Sequence, residues 1–594
     1  MENAKVLKGG EFLVRDFDTN EIFIPEELNE EQQMIAQTCQ DFLETEVLPH
    51  LDAIDAQQEG LMPSILEKAG ELGLLGISIP EEYDGFGQDI VTGMVAAEKL
   101  GAGYSFSVAY SCDTGIGTLP IVYYGNEEQK QKYLPKLASG EWKGSYCLTE
   151  PGAGSDANSG KTKAVLSEDG KHYILNGAKM WITNAGFADV HTVFAKIDND
   201  RVLSAFIVEA SSEGIVLNPE EKKMGIKGSS TRQIFYNDVK VPVENLLGKR
   251  GEGFRIALNI LHMGRLKLGG NVIGAAKMAI NQSVQYSNER KQFGMHLSSF
   301  GSIKHKLAEQ MIRTFTTESA VYRASKYVQD EAARNHANGV AYGLGIMEAY
   351  NQFAIEAALL KVYGSESLDF IADEAVQIHG GMGFSAEMMV DRGYRDSRIN
   401  RIFEGTNEIN KILTIDTIIK RGSKKEIPLW DRACDAYALL QNLEETGVNG
   451  MDYFEEKYKY VNNIKSLALI LIKSASDKFQ KTLVHEQEVL NHISDIVMQA
   501  YVGESTYLRV KKLAEMKGEN AIDLYKDILD VFLHDSATKV YKLAIDALNS
   551  IEDKDNYDKI MNAIRIFTKV APLNIKESRR RLADKLIAEN KYFM

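Results

Sequence analysis

The hydrophobic period of this chain changes twice, and those changes restrict its fold more than any other feature. From Pro25 to about Lys143, apolar residues such as Met34, Phe42, Leu48, Ile65, Leu66 and Leu72 recur at helical spacing among charges, with proline and glycine as punctuation. Near Tyr146 the pattern turns to alternation. Tyr173-Ile-Leu175 leads to Asn176-Gly177, a strong hairpin signal, then to Met180-Trp181-Ile182-Thr183, and 190–197, 202–208 and 233–241 also read as strands. From Gly253 to about Lys420 long helical segments return between short glycine breaks, and a charged helical tail follows. The expected fold is mainly α with an inserted β domain. It divides into an all-α domain over 1–145, a middle β domain over 146–252, a four-helix domain over 253–421 and a helical extension over 422–594.

Composition narrows the function. A formal net charge of -16 argues against a nucleic-acid binder, because phosphate affinity rests on clustered Lys and Arg. Cys39, Cys112, Cys147 and Cys434 lie far apart with no Cys-x-x-Cys, so neither a disulfide framework nor a zinc knuckle is expected, and a reducing compartment fits. Glu2, Glu11, Asp16 and Asp18 stand where a signal or transit peptide would be apolar or poor in acids. The longest apolar run, 467–472, is too short to span a bilayer, so a soluble cytoplasmic protein is expected. Arg579, Arg580, Arg581 and Lys585 share a segment with Leu582, Leu586 and Ile587. This reads first as a solvated helix face, with peripheral membrane contact as the alternative.

The candidate chemistry centres on Arg401-Ile-Phe-Glu404-Gly405-Thr406-Asn-Glu408. Thr406 or Asn407 can cap a helix continued by Ile409, Ile412, Leu413 and Ile419, which places Glu404 on the loop feeding it. Phe403 offers an apolar wall that would raise the pKa of the carboxyl toward that of a useful base, and Gly405 permits close approach. Tyr146-Cys-Leu148-Thr149-Glu-Pro-Gly-Ala-Gly-Ser155-Asp156 is rich in glycine and backbone donors, as a phosphate-bearing cofactor requires. Period two puts Trp181 and Thr183 on one face, where an indole and a hydroxyl can meet a planar ligand. Arg290, Gln292 and Phe293 suit pyrophosphate and adenine, and Gln377-Ile-His-Gly380-Gly381 is a hinge of backbone donors. Gly269, Gly270 and Gly274 allow close approach to a helix or a cofactor. Two decoys fail: 154–162 is one residue too long for a Walker A loop, and Val489 stands where a His-Glu-x-x-His zinc site needs its second histidine.

Together these stretches resemble the acyl-CoA dehydrogenase family from about Pro25 to Arg421, in the family's order. The pieces that carry the resemblance are 146–156, Met180 to Asn184, Glu289 to Gly294, Gln377 to Phe384 and Arg401 to Asn407. Residues 221–227 and 259–265, with the long extension containing Val484-His-Glu-Gln487, are similar to the very-long-chain subgroup.

The resemblance implies a helical domain, a β-barrel-like domain and a four-helix domain, with FAD across a subunit boundary and therefore a homodimer. It implies that Glu404 removes the α-proton of a fatty acyl-CoA while the β-hydride passes to the flavin, the first step of fatty acid β-oxidation, with an electron-transfer flavoprotein as acceptor. It assigns Tyr146, Leu148, Thr149, Ser155, Trp181, Ile182, Thr183, Thr406 and Glu408 to FAD. Arg290, Gln292, Phe293, Gln377, Gly380 and Gly381 fall on the ADP half, and Ser155, Arg265 and Gly405 on the substrate. The backbone N-H of Glu404 is expected to steady the developing enolate. Some family members carry the base just before the arginine, where this chain has Gly264. Pro120, in the small-residue crossing with Gly115 and Gly117, would narrow a pocket, so medium to long acyl chains are expected, with long preferred because of the extension. The competing readings are an oxidase of the same fold that uses dioxygen, and a non-catalytic scaffold for respiratory-complex assembly.

Overall fold

The computed structural model describes residues 7–444, 450–552 and 554–594; Glu2 lies outside them. Helices begin where short polar side chains take up orphan backbone N-H groups. Asn29 and Gln32 form a capping box at Glu30–Phe42, Asn126 and Gln129 form another at Glu127–Ser139, and Asp89 caps Ile90–Gly101. These helices lead into a sheet whose first strand, β1 (Gly144–Cys147), runs parallel to β4 (Val190–Ile197). The remaining strands are β2 (Lys163–Leu166), β3 (His172–Thr183), β5 (Ser204–Glu209), β6 (Ile215–Leu217), β7 (Thr231–Pro242) and β8 (Leu246–Leu247). Their order is β6-β7-β3-β2-β4-β5-β8.

The Asn176-Gly177 hairpin is absent. Both residues lie inside the continuous strand β3, at a register shift against β7 where Leu175 pairs with Val239 but Gly177 pairs with Tyr236. Asn176 Nδ2 donates to Asp238 Oδ1 at 2.9 Å, and Asp238 N donates back to Asn176 Oδ1 at 2.9 Å, so the side chains that would have made a turn instead hold a β-bulge. Gly177 is required by proximity, since a Cβ there would sit 2.5 Å from Thr162 Oγ1.

Beyond the sheet the long helices Gly253–Glu289, Gly301–Ala337, Ala354–His379 and Asn407–Ser423 pack together. The small residues of the first serve helix packing: a Cβ on Gly274 would lie 1.8 Å from the carbonyl oxygen of Glu98 in Ile90–Gly101. The extension, including Tyr453–Phe479, Gln487–Lys517, Asp523–Ile551 and Ile575–Glu589, shares one apolar core with this bundle. It is also tied there by buried charge. Arg323 Nη2 meets Glu504 at 2.8 Å with both side chains sealed from water, and Arg509 meets Glu318 at 2.7 Å and Glu26 at 2.8 Å.

The apolar residues of the last helix are turned into the protein. Leu582 and Leu586 are in the core, Arg579 pairs with Glu309 and Asp535, Arg581 with Asp527, and Lys585 with Glu589. The leucines are covered by protein, while Arg580, Arg581 and Lys585 remain exposed as a solvated face. Among the described residues no helix is long and apolar enough to cross a membrane.

Candidate active site

Glu404 lies in a tight turn between the 3-10 turn Arg398–Arg401 and the helix Asn407–Ser423. Thr406 caps that helix, its Oγ1 accepting from Ile409 N at 3.3 Å. Glu404 itself has φ +57°, a left-handed conformation that costs a non-glycine residue about 1–3 kcal/mol and persists only when its surroundings impose it. The turn is held from beneath. Arg265 Nε donates to the Glu404 carbonyl at 3.0 Å, and Asn410 Nδ2 donates to the Gly405 and Thr406 carbonyls at 2.8 and 3.0 Å. The Glu404 N-H has no acceptor among the described residues.

The side chain is half-buried, but its Oε2 is enclosed and accepts no hydrogen bond. Burial pushes the carboxyl up to about 7, against the opposing pull of the Arg265 and Lys361 cations. It rests on Gly264, where a Cβ would lie 2.7 Å from Oε2, so this position must be glycine for the carboxylate to stand where it does. The sequence reading named Arg265 for the substrate and missed Lys361 and His262 as supports. Lys361 is fully buried, donates to Asn407 Oδ1 at 2.7 Å and is pushed down to about 7 by burial. Arg265 Nη1 donates to His262 Nδ1 at 3.1 Å, and burial holds that imidazole down at about 3, so it stays neutral and accepting. A lysine within the apolar run 357–363 was the available signal for Lys361.

Glu404 and Phe403 close one end of a long cavity. One wall is the Gly253–Glu289 helix, which contributes Gly264, Leu268, Val272, Ala275 and Ala279 and reaches Gln282. From Gly264 to Gln282 that wall is about 27 Å long at the usual helical rise. Gly115 lines the cavity from a wide turn over Cys112–Gly117, whereas Pro120 is buried in Leu119–Tyr124 and is absent from the lining. The expected narrowing by Pro120 is therefore corrected.

The strand ends face the same place. Thr183 lines the cavity, and Cys112 Sγ lies 3.8 Å from its carbonyl oxygen; Tyr146 is buried close enough to feel the Glu404 and Arg265 charges. Leu148 and Ile182 are buried beside them, and Thr149 O accepts from Met180 N at 2.9 Å. Trp181 does not follow simple alternation. A second register shift, between Lys179 and Ile182, makes both of those residues inward, and Trp181 is left at φ +60° and 54% exposed. The neighbouring glycine-rich loop is committed internally. Glu150, paired with fully buried Lys179 at 2.7 Å, accepts from Lys161 N at 2.6 Å and Thr162 N at 3.1 Å, while Ser155 is exposed on the loop. Within the 146–156 stretch itself, Glu150 N and Ala153 N donate to each other's carbonyls at 3.1 and 3.0 Å.

A second group stands apart. Arg290, Gln292 and Phe293, the last 93% exposed, lie on and beside the small hairpin Lys291–Gln292 and Met295–His296. Gln377, Gly380 and Gly381 are exposed at the end of Ala354–His379, joined to the first helix by Tyr286 stacked on His379 at 4.2 Å. Arg290 is about 39 Å along the helix from Gly264. Thr406 and Glu408 stay with Glu404. An open indole and hydroxyl beside a buried carboxyl fit an isoalloxazine, and an exposed guanidinium with an aromatic ring fits an ADP moiety, so both groups suit FAD.

This combination of a sheet domain between helical ones and a desolvated carboxyl at the head of a long apolar cavity defines a flavin-dependent dehydrogenase of acyl thioesters. Family models describe the same order. Acyl-CoA dehydrogenase N-terminal, middle and C-terminal domains match residues 29–141, 145–239 and 251–419, and a further acyl-CoA dehydrogenase C-terminal domain matches 463–566. The chain belongs to the acyl-CoA dehydrogenase family, and its cofactor is FAD. It is 44% identical over 591 residues to a probable acyl-CoA dehydrogenase of Bacillus subtilis (strain 168), covering 99% of each chain. It is 38% identical over 413 residues to the human mitochondrial very long-chain specific acyl-CoA dehydrogenase, covering 66% of this chain and 59% of that one. The crystal structure of an acyl-CoA dehydrogenase complexed with FAD from Bacillus anthracis superposes with a TM-score of 0.95 at 42% identity, covering 99% of this chain and 100% of the other.

Proposed function

We propose that the protein dehydrogenates long-chain fatty acyl-CoA to the trans-2-enoyl-CoA, the first step of fatty acid β-oxidation, with Glu404 as the base. The observation that carries this reading is the unpartnered, desolvated Glu404 Oε2 at the head of the cavity. A thioester α-proton is a weak acid, and a carboxylate with a pKa near the working pH is a far better acceptor for it than a solvated one. Arg265 holds the Glu404 carbonyl, so its role is to fix the turn and with it the carboxylate; the uncommitted Glu404 N-H would donate to the thioester oxygen as charge develops there. Apolar walls exclude water from the reacting carbons. FAD would supply the two-electron acceptor for the β-hydride, with Trp181 and Thr183 on one side and the Glu404 turn on the other as the residues that would hold its ring. Tyr146, Leu148, Thr149, Ser155, Ile182, Thr406 and Glu408 would complete the flavin contacts, and Ser155 and Gly405 would contact the acyl thioester.

The cavity length supports long chains. Its lining follows the helix from Gly264 to Gln282, about 27 Å at the usual rise, which is reach enough for a long acyl chain rather than a short one. The separation of the two cofactor groups supports a homodimer, because the Glu404 turn packs at Gly264 and Arg290 lies about 39 Å further along that same helix, beyond the reach of one flavin dinucleotide. Arg290, Gln292, Phe293, Gln377, Gly380 and Gly381 would then serve the partner's FAD. An electron-transfer flavoprotein is the proposed acceptor. The free state of the cysteines among the described residues supports a reducing, cytoplasmic setting.

Anaerobic titration with palmitoyl-CoA tests the reading. The flavin band should bleach in the wild type and not in Glu404→Gln. Rapid return of colour in air would favour an oxidase over a dehydrogenase, and absence of bleaching by any acyl-CoA in FAD-loaded protein would favour the scaffold.

A further inference from the structure

The cavity that starts at Glu404 passes a second carboxyl, and this inference rests on the acyl-CoA reading above. Asp396 lines the same cavity, on the helix Met389–Ser397, with Gly393 one turn before it; Tyr104 and Gln282 line it too. The four are neighbours. Gln282 Nε2 donates to the Tyr104 hydroxyl at 2.9 Å, and a Cβ on Gly393 would lie 3.7 Å from the edge of the Tyr104 ring. Tyr104 is held at φ +53°, a conformation that a tyrosine keeps only under constraint.

The hydrogen-bonding inventory of this end is incomplete in a specific way. Asp396 is only 8% exposed; its Oδ1 accepts from Ile226 N, but its Oδ2 has no partner. The cations that could have neutralised it are occupied. Arg392 is paired with Asp55 at 2.8 Å and Asp52 at 2.6 Å, Arg395 with Asp391 at 2.9 Å, and Lys223 donates to Ser229 and Thr231. The Tyr104 hydroxyl accepts from Gln282, and its own proton has no acceptor among the described residues. One buried acceptor and one unused donor therefore line the part of an otherwise largely apolar cavity that lies toward Gln282. A buried polar atom without a partner costs about 1–3 kcal/mol, so Asp396 Oδ2, with the unused Tyr104 proton on the same cavity, is placed to be satisfied by something that enters.

We propose that this region is a subsite for a hydroxyl group at or near the ω-end of the acyl chain, so that the substrate class extends to ω-hydroxylated long-chain acyl-CoA. A hydroxyl is the one small group that gives and takes at once. It would donate to Asp396 Oδ2 and accept from the Tyr104 O-H. A carboxylate tail would face Asp396 with like charge, the cavity's lysine, Lys267, lying about 22 Å back along the helix from Gln282, and a methyl would leave both groups unpaired. A site that pairs a substrate hydroxyl discriminates by the penalty of leaving its own groups unpaired, which favours the hydroxy chain by about fivefold or more for one net hydrogen bond.

The test compares kcat/KM for ω-hydroxyacyl-CoA and unsubstituted acyl-CoA across a series from dodecanoyl to octadecanoyl, in wild type and Tyr104→Phe, with anaerobic flavin bleaching as a parallel readout. The expected result is a hydroxy-to-unsubstituted ratio of about five or more that peaks at one chain length in the wild type and falls toward one in Tyr104→Phe. A ratio at or below one at every length, with unsubstituted chains still bleaching the flavin, would overturn the subsite and leave the dehydrogenase reading standing. A length-dependent preference unchanged in Tyr104→Phe would overturn the assignment to Tyr104 and Asp396. If no chain of either kind bleached the flavin, the dehydrogenase reading would fall first and the subsite with it.

Discussion

Glu404 and Asp396 are two carboxyls on one cavity, and burial raises each to about 7. Each keeps one oxygen without a partner. Their neighbours differ. Glu404 has Arg265 and Lys361 pulling it back toward ionisation with no acid against it, whereas Asp396 is pulled back by the Ile226 N-H and by Arg395 and Arg392, cations shared with other acids, while the Asp55 carboxylate adds to its rise. Desolvation alone makes a carboxyl reluctant to ionise, and the surrounding charges decide whether it becomes a proton acceptor or a neutral-ligand contact.

Removing one member of the pair breaks the comparison most severely. Glu404→Gln should lower the rate of flavin bleaching by roughly 10²–10⁴-fold, the usual contribution of a positioned base, while Tm stays level or rises because a buried unpaired carboxyl has gone. Gly264→Ala tests the position of the base instead of its presence. The added methyl meets Oε2 at 2.7 Å and must displace it, so kcat should fall by about 10²-fold, as such misplacements do, with FAD content retained. Lys361→Met removes a cation that only the Glu404 end possesses. Because Lys361 lowers the Glu404 pKa, its loss should move the acidic limb of the kcat/KM profile upward, so activity drops several-fold near neutral pH and recovers in more alkaline buffer. An unchanged limb would show that the two ends are less different than their neighbours suggest.

The smallest effect is on stability and concerns both ends. Their folded pKa values are raised, so the native state holds protons that the unfolded chain has released. The stabilisation is complete below the ordinary carboxyl range near 4 and is lost as pH rises to about 7. Thermal melts of the wild type should therefore lose Tm across that interval from these groups, and Glu404→Gln should flatten part of the slope.

The order of helices, sheet and helices was legible because a packed face imposes its period directly on the sequence. The Glu404 turn was legible too, since a carboxylate between an aromatic residue and a glycine ahead of a capped helix is a local pattern. What could not be read depends on partners far along the chain. Asn176-Gly177 became a bulge through Asp238, and Trp181 turned outward through a register shift that only β7 defines. Lys361 looks like any lysine until Asn407 and the burial around it are known. Asp396 ends a run, Asp391-Arg-Gly-Tyr-Arg-Asp396, that reads as a solvated face, and its importance comes from Ile226 and Tyr104, which belong to other domains.

The sealed contact between Arg323 and Glu504 also constrains when this molecule can become itself during synthesis. The glutamate follows the arginine by 181 residues, and a guanidinium cannot stay buried without it. At about 5–20 residues per second a ribosome needs roughly 10–40 s to deliver that partner. The buried pairing that locks the bundle to the extension is therefore completed only after about half of 422–594 has been translated, so the last step in sealing Arg323 from water comes late in synthesis.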